Sequence, residues 1–240
     1  QQEEYEAMAA KLGYGKVSIQ KGEVAETIRT YVENGGFLFA MCSATDTIDI
    51  ALAARGIDIV MPEFDGDGVT PGFQDKLDFS RTFAFENFTL ITDPLVYEFS
   101  NIDVTPPSPN SATTTADEII DYFELFEFSA KYDPVPTMLT QCHENPIKGF
   151  MGQSTEFDKK LIKKNVVIMG ETGKRGTAKY IQGNLGNGSF TFYGGHDPEY
   201  FQHSVGDPKT DLRLHRNSPG YRLILNNILF PAAKKKPLKT

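Results

Sequence analysis

Apolar residues recur at helical and then at strand spacing through the first sixty residues. Residues 23–34 place apolar side chains at i, i+4, i+7 and i+8, which predicts an amphipathic helix that ends before Gly35. Five apolar residues without alternation follow, Phe37–Met41, as in a strand that is covered on both faces. Residues 45–55 predict another helix, and residues 16–19 and 57–61 predict short strands. Helix and strand in close alternation predict a parallel sheet with helices on both faces.

The pattern changes after residue 61 and returns near residue 165. Residues 62–164 are rich in Gly, Asp, Pro and Thr, and predict a long insertion that includes extended segments at 122–128 and 136–141. A strand at 166–170 and a hairpin of 179–183 with 189–193 follow. A final helix begins at Ser218 and Pro219. The sequence therefore predicts a core of residues 1–61 and 165–233, with a basic tail at 234–240.

The position of the strand Phe37–Met41 raises a question about the sheet. A strand that leads into a sharp turn and a helix usually lies in the middle of a parallel sheet, and each preceding strand–helix unit takes about 30 residues. About forty residues precede the turn here. We therefore expect further N-terminal strands, supplied either by an N-terminal portion of the same protein or by another polypeptide.

Composition and charge exclude several classes of function. The net charge of −8 and the pI near 5.1 argue against nucleic acid as a partner. No stretch approaches the roughly 20 apolar residues of a membrane helix. The two cysteines, Cys42 and Cys142, do not make a disulfide framework. Asp65 and Asp67 lack the further ligands of a calcium loop, and the sequence predicts neither a metal site nor a cofactor.

The chemistry in this chain is expected at the turn after the strand Phe37–Met41. Cys42 follows the strand, small residues flank it, and Ser43 with Asp46 predicts a cap for the next helix. A thiol at a helix N-terminus is favoured as the thiolate, as in a nucleophile elbow. The alternative is that Cys42 is an inert, small residue at a tight turn.

A second turn supplies the residues that a thiolate nucleophile needs. His196 follows a late strand, and Glu199 lies three positions on. A base must lie within hydrogen-bond reach of the thiol, and a carboxylate orients the base. We predict Cys42, His196 and Glu199 as catalytic residues, with a pocket made by the neighbouring positions Ser43, Gly194, Gly195 and Asp197. His203 and His215 are predicted to be surface or structural residues.

The second turn resembles a known family. Tyr193-Gly194-Gly195-His196-Asp197-Pro198-Glu199 is similar to the His-Pro-Glu segment of class I glutamine amidotransferases, with Asp197 inserted between His and Pro. Residues 31–47 and 188–199 also resemble the two signature segments of the ThuA-like branch, where His usually stands at the position of Cys42. The resemblance implies a flavodoxin-like fold, an elbow cysteine that attacks an amide, and an amide or a sugar-like compound as the ligand.

A wider resemblance covers most of the chain. Residues 37–54, 76–88, 128–141, 149–153, 165–172 and 190–233 look like a family of exported bacterial proteins labelled "asparagine synthetase B". Members of that family are longer at the N-terminus, and the resemblance implies a periplasmic or cell-envelope location. The label itself requires an N-terminal nucleophilic cysteine and a nucleotide loop, and this sequence starts with Gln1 and contains no such loop.

Two functions are expected from these residues and from the resemblance. The first is a Cys-His-Glu amide hydrolase of the class I amidotransferase superfamily, with an unspecified substrate. The second is a catalytically silent binding or structural subunit of a cell-envelope complex, which the inserted Asp197 and the absence of the usual elbow glycines favour.

Overall fold

The computed structural model describes residues 2–104, 122–148, 156–173, 175–196, 198–199 and 206–233. They form a mixed α/β structure, a six-stranded sheet with helices. The helices are α1 (Gln2–Lys11), α2 (Val17–Glu33), α3 (Ala44–Ala53), α4 (Pro62–Asp65), α5 (Pro134–Leu139) and α6 (Pro219–Leu229). The strands are β1 (Phe37–Met41), β2 (Tyr122–Leu125), β3 (Ile147–Lys148), β4 (Val167–Thr172), β5 (Thr177–Leu185) and β6 (Gly188–Tyr193).

The sheet has the order β1-β6-β5-β4-β2-β3, and most of its strand pairs are antiparallel. Among the described strands, β1 and β6 form the parallel pair, with Phe37 opposite Ser189. The predicted parallel sheet is therefore present as this one pair. Parallel neighbours need a crossover of a dozen or more residues, and the turns between β4, β5 and β6 are too short for one.

Helix α2 confirms the amphipathic helix predicted for residues 23–34 and extends it to Val17. The strand predicted at residues 16–19 is therefore wrong, because this short apolar segment continues the helical stripe of α2. Helix α2 buries Ala25 and Val32, and Gly35 follows it with a φ of +108°. A left-handed residue at this place lets the chain leave the helix and enter β1.

Two other predicted strands are also wrong. Residues 57–61 form no strand, because Asp58 bonds across the loop to Thr70 and its own side chain accepts from Val60 N–H at 3.0 Å. Residues 136–141 fall mainly in the short helix α5, which begins at Pro134. Proline at the first helical position has the φ that a helix requires and lacks an N–H that would have no partner there.

The local predictions with the strongest patterns are confirmed. The hairpin of β5 and β6 turns at residues 186–187, and Ser189 pairs with Asn184. In α6 the Ser218 hydroxyl accepts a hydrogen bond from Tyr221 N–H at 3.2 Å. β2 alternates exposed and buried residues as predicted, and it pairs with β4, so the segment predicted as an insertion extends the same sheet.

The hydrophobic core lies on both faces of the sheet. On one face α2 and α3 pack over Phe190 and Phe192, together with aromatic residues of 83–88. On the other face α6 packs over Tyr180 and Tyr193. A buried polar chain ties α6 to the sheet: Thr191 donates to Asn227 at 2.6 Å, and Asn227 donates to the Tyr180 hydroxyl at 2.7 Å. Burial raises the pKa of Tyr180, which keeps this hydroxyl protonated.

The segment after residue 80 is tied to α3 by one buried carboxylate. Asp49 accepts hydrogen bonds from the backbone N–H groups of Phe83, Ala84 and Phe85, at 2.6, 2.8 and 2.9 Å. Removal of Asp49 from water raises its pKa to about 6, although the three N–H donors act in the opposite direction. The aromatic residues of this segment are thereby held against the sheet.

Candidate functional site

Cys42 lies in a sharp turn between β1 and α3. Its φ is +55°, and among the described residues other than glycine it shares a positive φ with Asn87. The left-handed region costs an L-residue about 1–2 kcal/mol. Hydrogen bonds hold the turn: the carbonyl of Cys42 accepts from Thr45 N–H at 3.1 Å and from the Thr45 hydroxyl at 2.7 Å. The side chain of Cys42 is half-buried.

The second predicted turn follows β6. Gly194 donates its N–H to the carbonyl of Lys179 at 2.8 Å, and Gly195 has a φ of +77°. Gly194 and Gly195 are buried, whereas His196 is exposed. A left-handed glycine at position 195 lets the chain turn sharply at the end of the strand.

The structure brings these two turns together. The N–H of Cys42 lies 3.1 Å from the carbonyl oxygen of Tyr193 and 3.2 Å from that of Gly195, and His196 is the next residue. This follows from the parallel pairing of β1 and β6, which places both carboxyl ends at the same edge of the sheet. The backbone hydrogen bonds of Cys42 therefore place it beside the turn that contains Gly194, Gly195 and His196.

The first turn of α3 presents free donors beside Cys42. The N–H groups of Ser43 and Ala44 have no acceptor within the described part of the chain. The predicted cap is wrong: Ser43 already has helical angles, φ −60° and ψ −13°, and its side chain makes no capping bond. A capping side chain reaches the N–H groups from an extended residue, and Ser43 is not extended. Two amides therefore remain available at the positive end of the helix.

Glu199 contacts a histidine that the sequence reasoning did not select. Its Oε2 lies 3.4 Å from Nδ1 of His215, and both side chains are partly buried. The sequence predicts His215 as a surface or structural residue. The contact depends on the path of the chain between residues 199 and 215. Asp197, predicted as a pocket residue, lies outside the described residues.

A cavity of about 860 Å³ adjoins this histidine. Its lining carries more basic than acidic groups, and Cys42 is not part of it; the lining residues are Gln141, Cys142, His143, Glu144, His215, Arg216, Asn217, Ser218, Tyr221, Arg222 and Leu225. Two guanidinium groups against one carboxylate favour an anionic group in this cavity. The thiol of Cys142 lies 3.6 Å from the carbonyl oxygen of Pro219, to which it donates a weak hydrogen bond.

The acidic loop at residues 65–68 contacts a lysine. Carboxylate oxygens of Asp58, Asp65 and Asp67 lie within 4.8 Å of one another. The ammonium of Lys16 bonds to all three, at 2.9, 3.2 and 2.5 Å. These carboxylates raise the pKa of Lys16, chiefly through the bond to Asp67. Lys16 therefore already supplies a positive charge that offsets these three carboxylates.

No helix in the described residues is both long enough and apolar enough to cross a membrane. Comparisons of the chain with protein-family models, curated proteins and solved structures give no match. The functional assignment therefore depends on the geometry of the two turns and on the sequence motifs that they carry.

Proposed function

We propose that this chain is a cysteine-dependent amide hydrolase of the class I amidotransferase type. The observation that carries the proposal is the left-handed Cys42 whose N–H meets the carbonyl of Gly195 at 3.2 Å. A nucleophile at a strained strand-to-helix turn, with a histidine-bearing turn at its side, is the arrangement of an elbow enzyme. The parallel pair β1 and β6 would then be the part of a flavodoxin-like sheet that positions the site.

The proposed reaction begins at the thiol of Cys42. His196 accepts the thiol proton, and the sulfur attacks the carbonyl carbon of an amide. The N–H groups of Ser43 and Ala44 stabilise the oxyanion, since both are free among the described residues. The C–N bond breaks, His196 returns the proton to the leaving amine, and a thioester remains on Cys42. Water then hydrolyses the thioester, which releases a carboxylic acid and restores the thiol.

The carboxylate of Glu199 would orient the imidazoles of the site. Its contact with His215 adds a second histidine whose ring is held in place. His215 also lines the cavity that contains Arg216 and Arg222, so the proposed substrate is an amide with an anionic group. The family resemblance adds an exported location as part of the same proposal.

Selective alkylation of the two cysteines tests the proposal. Iodoacetamide should label Cys42 faster than Cys142 at neutral pH, with an apparent pKa well below the value of about 8.5 for a free thiol. His196→Gln should raise the apparent pKa of Cys42, because it removes the base. His143→Gln, beside Cys142, is the matched control and should leave the labelling of Cys42 unchanged.

A silent binding domain is the second candidate, because Cys42 does not line the cavity. Equal labelling of both cysteines at all pH values, with no effect of His196→Gln, would favour this candidate. A mass increase that matches an acyl group on Cys42 after incubation with an amide would favour the hydrolase. Amides of dicarboxylic acids are the first compounds to test, since they carry the anionic group.

A further inference from the structure

A second cavity lies between the first turns of α2 and the helix α3. Its volume is about 750 Å³, which is within the range of sites that bind small molecules. Residues 56–60, which follow α3, close one side of it. Cys42 does not line this cavity, so it is separate from the site proposed above.

Small residues and a fixed loop keep this space open. Gly22 of α2 faces Ala51 and Ala54 of α3, and none of the three has a side chain long enough to fill the gap between the helices. The loop that forms the wall is held by Asp58, whose backbone carbonyl accepts from Thr70 N–H at 2.8 Å and whose N–H donates to the Thr70 hydroxyl at 2.9 Å. The cavity is therefore formed before any ligand binds.

The interior of the cavity is apolar. Ile50 and Ala54 are buried beneath it, and Ile57 and Ile59 of the loop are half-buried at its wall. Ile19, on the first turns of α2, lines it with 48% of its side chain exposed. Pockets that are lined in this way bind the apolar body of a ligand and orient it through a few polar groups.

The carboxylates that line the cavity are already paired with cations. Asp58 binds the ammonium of Lys16 at 2.9 Å, and Lys16 also binds the acidic loop described above. Glu23 binds the guanidinium of Arg55. A cationic ligand would have to displace one of these ion pairs, so the lining does not favour one.

Lys21 is the third cation of the lining and differs from the other two. Its ammonium lies over the ring of Tyr5, 5.4 Å from the centroid, and pairs with no carboxylate among the described residues. An anionic group at this place would gain a charge-assisted hydrogen bond without breaking an ion pair. We propose that the cavity binds an aliphatic carboxylic acid, with its chain against Ile50 and Ala54 and its carboxylate on Lys21.

Decanoate and decanol test this proposal, because they share a chain and differ in charge. Both should bind the wild type when they are titrated below the concentration at which micelles form. Lys21→Met should weaken the binding of decanoate about fivefold, as expected for a partly exposed ion pair, and should leave the binding of decanol unchanged. Lys131→Met is the matched control, because Lys131 also lies over a tyrosine ring, 5.2 Å from the centroid, and does not line the cavity.

A second pair of variants tests the apolar part of the site. Ile19→Asn should weaken the binding of both ligands several-fold, and the fold should tolerate it because the side chain is half exposed. Val24→Asn is the matched control, since Val24 lies on the same helix, is 50% exposed and does not line the cavity. Failure of both ligands to bind the wild type would overturn the proposal, as would equal effects of Lys21→Met and Lys131→Met on decanoate. These measurements do not depend on the reactivity of Cys42.

Discussion

The carboxylate of Asp49 accepts a hydrogen bond from the backbone N–H of Phe83 at 2.6 Å, which links α3 to a segment 34 positions away. Asp49 is fully buried, and its partners are neutral N–H groups. Its pKa is raised from 3.8 to about 6, chiefly by desolvation. The folded chain therefore binds this proton more tightly than the unfolded chain does.

The first prediction concerns the pH dependence of stability. Because the pKa of Asp49 is higher in the folded state, its contribution to the free energy of unfolding is greatest below pH 4 and is lost as the pH rises through 6. The loss is about 3 kcal/mol, since one pKa unit corresponds to about 1.4 kcal/mol. Urea unfolding between about pH 3 and pH 7 should show this decline in the wild type.

Asp49→Asn should remove that decline with pH. It should also lower the free energy of unfolding across the whole pH range. An amide has one acceptor oxygen in place of two, so buried N–H groups lose partners at a cost of about 1–3 kcal/mol. Asp75→Asn, at an exposed carboxylate, is the control and should keep the pH dependence of the wild type. The same pH dependence in wild type and Asp49→Asn would contradict the assignment to Asp49.

The second prediction concerns the backbone at Cys42. A β-branched residue tolerates a φ of +55° less well than alanine does, so Cys42→Val should be less stable than Cys42→Ala by about 1–3 kcal/mol. Both variants lack the thiol, and the comparison therefore isolates the backbone from the chemistry. Urea midpoints measure the difference, and equal midpoints would show that the turn relaxes at no cost.

The third prediction concerns the close approach of the hairpin to α2. A Cβ on Gly188 would lie 2.0 Å from the carbonyl oxygen of Val32 and 2.3 Å from that of Gly36. Both neighbours are backbone, so the strand must shift, and Gly188→Ala should cost about 2–4 kcal/mol. Gly173→Ala is the matched control, because nothing lies within 4 Å of its Cβ position. Thermal unfolding of both variants provides the measurement, and a neutral Gly188→Ala would show that the packing is looser than described.

The fourth prediction concerns the acidic cluster. If Lys16 acts as the cation of Asp58, Asp65 and Asp67, millimolar Ca²⁺ should leave the Tm of the wild type unchanged. Lys16→Ala exposes three converging carboxylates, the ligands that Ca²⁺ prefers, and Ca²⁺ should then raise the Tm by a few degrees. A rise of the same size in the wild type would show that Lys16 does not exclude the ion.

The elements with strong local signals could be predicted from the sequence. The stripe of α2, the apolar run of β1 and the hairpin turn after Leu185 each depend on residues close together in the chain. The directions of the strands could not be predicted, because the apolar pattern of a strand does not determine which strand it pairs with or whether the pair is parallel. The short segments 16–19 and 136–141 fit a helix and a strand equally well, and their packing decided in favour of helices.

The candidate site also contains features that could be predicted from the sequence and features that could not. The nearness of Cys42 and the turn at Gly195 could be predicted, because both follow strands whose carboxyl ends share an edge. The contact between Glu199 and His215 could not, because it depends on the path of the chain between them. The helical backbone angles of Ser43 could not be predicted either. The sharp turn at Cys42 brings Ser43 into helical geometry, whereas a capping residue has extended angles.

The pairing of β1 with β6 has a consequence for the order of folding. β4, β5 and β6 are joined by short turns and form from neighbouring residues, whereas Phe37 must find Ser189 across most of the chain. Long-range contacts are slow to form because loop closure costs entropy before the contact is gained. In pulse-labelled refolding we expect the backbone amides of β4, β5 and β6 to be protected from exchange first. The amides of the turn at Cys42 should be protected last. In a newly synthesised chain, the thiol of Cys42 would then reach its final backbone geometry only in the last step of folding.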